Sequence, residues 1–326
     1  MRASTGDKSC WIATDGVIGN EKQCLALAHY LGLEVEVFRI SLRQPWQILA
    51  PYLKLGGRFA LPETLQERLA GPLPEVLITA GRRSALAAVI IKRLSQNRTF
   101  SIQLLNPRID PANFDVVICP RHDKLAGPNV ITTLGALHGV DEQTLQSARR
   151  QWARQLEALP APRVAVLIGA SNRAYTIDRD YLARLADAVE GWIQAAGGSV
   201  MVTTSRRTPK SLQEYSRQRF ARVPGWVWTG QQTSDNPYLG FLAWADRIVV
   251  SADSVNMLSE ACGTGKPVYC PVPKSKRPKF ALFHQTLREA GLTLPLDYTG
   301  QAPGYQPLHE TRQIAQQLAL QIDQHG

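Results

Sequence analysis

Residues 249–273 join two apolar runs through residue types that suit a phosphate and a ribose. The first run ends in Ser-Ala-Asp-Ser and a helix-like segment follows, so Asp253 or Ser254 is expected to cap a helix. Main-chain N–H groups at a helix start carry partial positive charge and suit a phosphate. Glu260 lies about two turns into the same helix, where its carboxylate could accept both hydroxyls of a ribose. The pattern is equally that of an ordinary strand–turn–helix connection with a surface glutamate.

A second loop with ligand-binding residue types follows the first apolar run, at DGVIGN (residues 15–20). Gly16 and Gly19 permit close approach of the backbone to a ligand. Their spacing is not GxGxxG, so the loop is a weak dinucleotide signature. Asp15 could act as a general base here, and it is at least as well explained as a cap of the following helix.

Two arginines, Arg82 and Arg83, follow a third apolar run at the expected start of a helix. Beside the N–H groups of that helix they would form a strong anion site. Two cations at a helix start oppose the helix dipole, and such local conflicts tend to occur at working sites. The alternative is a purely structural arginine pair.

One histidine stands beside a carboxylate, at Pro-Arg-His-Asp after the run FDVVIC. His122 next to Asp123 could serve as an acid–base group near neutral pH. His138, in LGALHGV, is a weaker candidate of the same kind. For each of them, the alternative is a hydrogen-bonded loop histidine.

Strand-like runs alternate with helix-like runs along the chain, and this order must position the candidate residues. SCWIAT is followed by EKQCLALAHYLG with helical spacing and by LEVEVFRI with a period of two. A second series runs from RVAVLIGA to KPVYCPV. Alternating strands and helices imply parallel sheets, whose ligands bind at the carboxyl ends of the strands.

We therefore predict an α/β protein with two doubly wound Rossmann-like domains that face each other across a cleft. The first domain is expected to span residues 1–150 and to be joined by a C-terminal helix at 308–326. The second is expected to span residues 160–305.

The composition indicates a basic protein that attracts anions. The chain has 326 residues, and 37 Lys and Arg against 27 Asp and Glu give a formal net charge of +10. Nucleic acid, anionic membranes and phosphorylated small molecules are the candidate partners. Nucleic acid is not expected, because the sequence has no helix-turn-helix signal, zinc-finger spacing or RRM motif.

The apolar runs and the cysteines of the sequence indicate the cellular compartment of the protein. The sequence contains no run of 18 apolar residues and its N-terminus lacks the apolar core of a signal peptide, so a cytoplasmic protein is expected. Its five cysteines include no CxxC pair and read as small core residues of a reducing compartment.

The spacing from the helix start at residue 254 through Ser259-Glu260 to Gly265 and Pro267 resembles the nucleotide-sugar site of GT-B glycosyltransferases, among them the peptidoglycan N-acetylglucosaminyl transferases. Segments over nearly the whole chain are also similar to a narrower family, the mitochondrial-fission "elongated mitochondria" (ELM-like) family of plants and its bacterial relatives. These segments are DGVIGNEKQCLALAHYLG, ITAGRR, FDVVICPRHD, GPNVITTLGALHGV, VLIGASNRAY and SADSVNMLSEACGTGKPVY. The resemblance implies a GT-B-like fold and leaves the reaction undefined.

The resemblance also implies that the first domain lies on the acceptor side and that the second binds the nucleotide-sugar, and it implies roles for single residues of the second domain. Glu260 matches the ribose-binding glutamate, and Ser254 and Val255 match the helix start that faces the diphosphate. The loop after the first strand of this domain matches a glycine loop that contacts the nucleotide. Its candidate residues are Gly169, Ser171 and Arg173, the last of which could neutralise the leaving diphosphate.

A basic run departs from the transferase pattern. KSKRPKF carries Lys274, Lys276, Arg277 and Lys279, whereas the peptidoglycan transferases have glutamines nearby that read the donor sugar. The run could hold an anionic donor or acceptor, or it could be a solvated surface loop.

The sequence predicts a GT-B-type glycosyltransferase that moves a sugar from a nucleotide-sugar to an anionic, lipid-linked acceptor of the cell envelope. No DxD-type motif ends a strand, so metal independence is expected, with no cofactor besides the donor substrate. The charge of +10, together with Trp46 and Tyr52, is consistent with peripheral docking on the cytoplasmic face of the inner membrane. The alternative for the segment that contains Trp46 and Tyr52 is a buried helix pair. The alternative is a non-catalytic scaffold of the same fold that acts through membrane or protein partners.

Overall fold

The computed structural model describes residues 8–40, 61–230 and 235–325. The chain divides into two compact units, residues 1–139 with 310–326 and residues 140–309. The second unit begins ahead of the predicted boundary at residue 150. Trp46 and Tyr52 lie outside the described residues.

The first unit is a six-stranded parallel sheet in the order β2-β1-β3-β4-β5-β6. Its strands are β1 (Ser9–Thr14), β2 (Glu34–Arg39), β3 (Val76–Ala80), β4 (Phe100–Leu104), β5 (Val116–Pro120) and β6 (Val130–Thr133). Its helices are α1 (Ile18–Leu31), α2 (Glu63–Arg68), α3 (Arg82–Leu94) and, from the end of the chain, α11 (Glu310–His325).

Helices cover both faces of the first sheet, which explains the continuous apolar runs of its strands β3 and β5. Alternate residues of β1 point to opposite faces. Ile12 packs with α1 and α11 on one face, and Trp11 packs with α3 on the other. The C-terminal helix is thus part of the core of the first unit.

The second unit is a five-stranded parallel sheet in the order β11-β10-β7-β8-β9. Its strands are β7 (Arg163–Ile168), β8 (Ser199–Thr204), β9 (Gly225–Trp228), β10 (Arg247–Val250) and β11 (Val268–Tyr269). Its helices are α4 (Glu142–Gln151), α5 (Ala153–Leu156), α6 (Arg179–Ala196), α7 (Lys210–Phe220), α8 (Tyr238–Trp244), α9 (Val255–Cys262) and α10 (Pro278–Glu289).

Strand order reverses once in each sheet, and the predicted α/β class with two doubly wound parallel sheets is confirmed. The reversal lies between β1 and β3 in the first unit and between β7 and β10 in the second. Doubly wound sheets bind their ligands in the crevice at such points, outside the carboxyl ends of the strands.

All five cysteines are buried and none forms a disulfide, as predicted. Burial raises the pKa of the Cys10 and Cys262 thiols to about 12. No helix in the part of the chain that the structure describes combines the length and the apolar character that a membrane span requires.

Candidate functional site

The loops that follow β7, β8 and β10 meet where the strand order of the second sheet reverses. The main-chain N–H of Gly169 donates to the Ser251 hydroxyl over 2.8 Å. The next N–H, of Ala170, donates to Oδ2 of Asp253 over 2.9 Å. The predicted glycine loop and the predicted helix start are therefore in direct contact.

The loop after β8 contacts the loop after β7. The three loops that follow β7, β8 and β10 together form one corner of the second unit. Thr208 Oγ1 donates to the carbonyl of Gly169 over 2.7 Å, and the Ser205 N–H donates to the carbonyl of Ile168 over 2.7 Å. The exposed Arg207 follows, with Nη2 3.7 Å from Oδ2 of Asp253. A guanidinium that the sequence did not single out thus lies at the mouth of the corner.

Asp253 is the buried charge of the corner, and its side chain is inaccessible to solvent. Burial raises the pKa of its carboxyl, while hydrogen bonds from Ser251 and Ala170 and the charge of Arg207 act in the opposite direction. The sequence identified Asp253 only as a candidate helix cap. The capping residue is Ser254, whose Oγ accepts from the Met257 N–H over 3.4 Å.

Gly169 is the residue in the sequence that indicates the contact between the loop after β7 and Asp253. A Cβ atom at that position would lie 2.1 Å from Oδ2 of Asp253, closer than real Cβ atoms approach other atoms. The glycine is therefore needed to admit the carboxylate of Asp253. The resemblance described above implies contact with a nucleotide for the loop that contains this glycine.

The remaining predicted residues of the glycine loop have different surroundings. Ser171 Oγ accepts from the Ile177 N–H over 2.8 Å and donates to the Ile177 carbonyl over 3.1 Å, so its hydroxyl closes the loop. Arg173 is exposed at the tip of the same loop. Asn172 Nδ2 donates to the carbonyl of Asp253 over 3.0 Å, which ties the loop to the start of α9.

The basic run lies against this glycine loop. The Lys276 N–H donates to the Ala174 carbonyl over 3.0 Å, and Lys276 Nζ donates to Thr176 Oγ1 over 3.1 Å. Lys274 and Arg277 are exposed on either side of it. The run therefore adds positive charge beside the loop after β7.

Two buried side chains brace the loop after β10 from below. His284 Nε2 donates to the Ala252 carbonyl over 2.9 Å. The Tyr181 hydroxyl accepts from the Ala252 N–H over 3.1 Å and donates to the Pro271 carbonyl over 2.8 Å. Neither contact could be predicted from the sequence, because Tyr181 and His284 come from helices α6 and α10, which are distant along the chain.

Glu260 is half-buried on α9, and the hydroxyl of Tyr238 donates to its Oε2. Burial, followed by the charge of Glu260 and this hydrogen bond, raises the pKa of Tyr238 well above its usual value. The phenol therefore remains a donor to the carboxylate at neutral pH. No spacing or motif in the sequence indicates this partner.

Lys266, in the Gly-Lys-Pro stretch after α9, binds the end of α8. Its Nζ donates to the carbonyls of Leu242 and Ala243 over 2.7 Å each. Burial, with a smaller effect of the positive charge of Arg149, lowers the pKa of Lys266 to about 8.

We expect Lys266→Met to change how stability depends on pH. Between about pH 8 and 10.5 the unfolded chain binds a proton at Lys266 that the folded chain has released, so the free energy of unfolding rises with pH. The parent should gain about 2–3 kcal/mol relative to Lys266→Met over this range. Urea denaturation at closely spaced pH values measures the difference. A difference in the free energy of unfolding that stays constant over this pH range would contradict the prediction.

In the first unit, the predicted residues after β1 and β3 lie together at the reversal of strand order. Asp15 Oδ1 accepts from the Val17 N–H over 3.3 Å and from Asn20 Nδ2 over 3.2 Å. Asn20 Nδ2 lies 3.4 Å from the position of a Cβ on Gly81. Asp15 therefore orders the turn into α1, next to the start of α3.

The arginines and glycines that the sequence also singled out in this unit differ from Asp15 in exposure and backbone conformation. Arg82 and Arg83 are exposed at the start of α3, and Gly16 adopts the left-handed φ of +75° that favours glycine, whereas Gly19 is helical. Anions in solution can therefore reach the arginine pair.

His122 is not brought to Asp15. It is buried in a short helical turn after β5, and β3 and β4 lie between β5 and β1, a separation of about 14 Å at the usual strand spacing. His138 is buried close to residue 139, where the first stretch of this unit ends. Its main-chain N–H donates to Thr311 Oγ1 over 2.8 Å. Asp15 and His122, the two predicted catalytic residues, thus lie at different positions along the edge of the sheet.

A carboxylate that the sequence did not single out lies near His138. Glu310, at the start of α11, accepts from the N–H groups of Leu134 and Gly135 over 2.8–3.2 Å. Burial raises the pKa of Glu310, and these hydrogen bonds and the charge of Arg121 oppose the shift. The C-terminal helix thereby holds the loop after β6.

Comparison with known proteins identifies relatives over nearly the whole chain. The family model for mitochondrial fission ELM1 matches residues 18–322. The mitochondrial fission protein ELM1 of Arabidopsis thaliana is 33% identical over 285 residues, which are 78% of this chain. The chain spans 65% of the length of that plant protein.

Solved structures share the fold at low sequence identity. MurG from Acinetobacter baumannii superposes with a TM-score of 0.51 and 13% identity, covering 98% of this chain and 95% of that one. UDP-GlcNAc 2-epimerase from Neisseria meningitidis, bound to UDP-GlcNAc, superposes with a TM-score of 0.54 and 13% identity, covering 96% and 94%. These likenesses show a GT-B-like fold.

Proposed function

Because this chain belongs to the mitochondrial fission ELM1 family and has a GT-B-like fold, we propose that its second unit binds a nucleotide-sugar whose sugar is transferred to an acceptor. The observation that carries the proposal is the contact between the Gly169 loop and the start of α9 at the reversal of strand order. Ligands of doubly wound sheets bind at that point.

The charges around this corner suit a diphosphate. The start of α9 at Ser254 and Val255 offers partial positive charge. Arg207 carries a full charge near Asp253, and Lys276 carries one at the loop after β7. When the bond from the anomeric carbon to the diphosphate breaks, negative charge grows on the leaving oxygen. One well-placed donor to such a charge contributes about 3–4 kcal/mol to the transition state.

Glu260 is proposed to accept the hydroxyls of the ribose. A carboxylate has about four acceptor positions, so Glu260 can accept hydrogen bonds from several donors at once. UDP is the first nucleotide to test, because the epimerase of the same fold carries a UDP-sugar.

The acceptor is proposed to be anionic and lipid-linked, in the cell envelope, with the protein on the cytoplasmic face of the membrane. The net charge of +10 and the exposed Arg82 and Arg83 support this. In an inverting reaction the acceptor oxygen bonds to the anomeric carbon and its proton passes to a base. Asp15, at the reversal of strand order in the first unit, is the better-placed candidate, and His122 is the second.

Binding of nucleotide-sugars by thermal shift tests the proposal, with UDP-, GDP-, CDP- and ADP-sugars as probes. At a hundred times the Kd, a ligand adds about 2.7 kcal/mol to stability, a shift of several degrees in Tm. Glu260→Gln keeps an acceptor for Tyr238 but should lose most of the shift. Glu214→Gln, an exposed glutamate on α7, is the control and should keep it. If no probe raises the Tm of the parent, the proposal fails.

A second candidate function is a non-catalytic scaffold. Two contacts favour it: the Asp253 carboxylate lies beside the proposed phosphate position, and Tyr238 already donates to Glu260. A scaffold would show no nucleotide-dependent shift, and Glu260→Gln would leave its partners bound.

A further inference from the structure

Strand β2 forms an outer edge of the first sheet, and its outward main-chain groups have no partner. The N–H of Ile40, directly after β2, donates to the Thr14 carbonyl of β1 over 2.6 Å. Because alternate N–H and C=O groups of a strand point to opposite sides, those of Val35, Val37 and Arg39 point away from β1. None of them is hydrogen-bonded in the part of the chain that the structure describes.

Some features that usually keep a sheet edge from pairing are missing at β2. Its six residues pair with β1 without a bulge, and they include no proline and no lysine. In the usual doubly wound order a third strand lies outside the second. Among the described residues, β2 is instead the last strand on its side of the sheet. A further strand therefore fits at this edge.

An apolar surface, the β2 patch, borders the edge on one face of the sheet. It consists of Leu25, Val35 and Val37, which are 37–40% exposed. Glu21 lies one turn ahead of Leu25 on α1, and Arg39 Nε donates to its Oε2 over 2.9 Å. This stripe of α1 therefore runs beside β2 and leaves the two valines open to solvent.

The charged side chains beside the edge are mostly paired within one chain. Arg39 binds Glu21, and Arg68 Nε lies 3.1 Å from Glu36 Oε2. Of the charged residues of β2, only Glu34 has no ion pair among the described residues. A net charge of +10 makes copies of this protein repel each other, but this edge is close to neutral. A second copy can therefore approach here.

We propose that β2 pairs with β2 of a second copy of this chain, antiparallel and symmetric about Val37, so that the two first sheets join into one. A twofold axis perpendicular to the sheet places residues of the same face opposite each other. Val37 then lies opposite Val37 of the second copy and Val35 lies opposite Arg39, which satisfies the outward groups of all three residues. A register centred on Glu36 would instead bring two like charges together. The edge is thus complementary to itself, and the β2 patches of both copies adjoin.

Analytical ultracentrifugation of the full chain, whose mass is 36.0 kDa, tests the inference. The parent is expected to sediment as a dimer at about 10 μM. Val37→Lys places two like charges at the axis and should raise the Kd of the dimer about tenfold or more. Leu320→Lys adds the same charge on α11 at a residue that is 68% exposed, and it should leave the Kd unchanged. Urea denaturation checks that both variants are folded.

Cross-linking tests the register. The Cα atoms of the two Val37 residues should lie about 5.5 Å apart, within the range of a disulfide. Val37→Cys should therefore form a disulfide-linked dimer when diamide, as the oxidant, takes up the two thiol hydrogens. Leu320→Cys should stay unlinked under the same conditions. The five native cysteines are buried and should not interfere.

Two results would overturn the inference. A parent that stays monomeric at about 100 μM would show that β2 does not pair with a second copy. A dimer whose Kd is unchanged in Val37→Lys, or that Val37→Cys does not cross-link, would place the interface elsewhere. Neither result bears on nucleotide binding by the second unit.

Discussion

Gly169→Ala is expected to destabilise the second unit by about 3 kcal/mol and to abolish nucleotide binding. The added methyl group would lie 2.1 Å from Oδ2 and 2.4 Å from Oδ1 of Asp253. Either the carboxylate or the loop must move, and each movement breaks the hydrogen bond from Ala170. Because this hydrogen bond is buried, its loss leaves a donor without an acceptor. Urea denaturation and UDP titration measure the two effects.

Gly191→Ala is the matched control for this substitution. Gly191 lies in α6 of the same unit, is exposed, and has no atom within 4 Å of the position of a new Cβ. Alanine at an exposed helix position stabilises by up to about 1 kcal/mol. Gly169→Ala should therefore lower the free energy of unfolding, whereas Gly191→Ala should raise it. Equal stability of Gly169→Ala and the parent would show that Asp253 does not hold the loop.

Asp253→Ala and Asp253→Asn are expected to differ strongly in stability. The alanine variant leaves the Ala170 N–H and the Ser251 hydroxyl without their acceptor, at a cost of about 3 kcal/mol. Asparagine can accept from Ala170 and donate to Ser251, so its cost at neutral pH should be below about 1 kcal/mol. Urea denaturation at pH 7 distinguishes them. Equal losses would show that charge, and not hydrogen bonding, is what the corner requires.

The same pair tests the raised pKa of Asp253. Because the folded carboxyl keeps its proton at higher pH than the unfolded one, this group lowers stability as pH rises from about 4 through the folded pKa. Over that pH range the free energy of unfolding of the parent should therefore fall relative to that of Asp253→Asn. At higher pH the difference between the two proteins should stay constant. Asp253→Asn should also bind UDP several-fold more tightly, since a negative charge beside the phosphates is removed. Weaker binding would mean that Asp253 serves the ligand by holding Arg207.

The course of the strands and helices follows from local patterns. Apolar runs such as those of β3, β5 and β7 predict buried parallel strands, because helices cover both faces of each sheet. Ser254 could be predicted as one of two candidate caps from residue type alone. The α/β class and the positions of the loops are properties of this kind.

The partners of the site residues could not be predicted in this way. Asp253 and Ala170 are 83 residues apart, and Tyr238 and Glu260 are 22 apart. No spacing or periodicity relates such pairs. The separation of His122 from Asp15 likewise depends on which strands lie between β1 and β5.

The sequence by itself determined the alternation of strands and helices, the glycines and caps of the loops, and the family. Only the tertiary structure decided that Asp253 is buried against Gly169 and that Tyr238 holds Glu260. The physical reason is that strand order in a doubly wound sheet differs from chain order, so β7 and β10 become neighbours only when the sheet assembles. Burial, which raises the pKa of Asp253, exists only in that assembled unit.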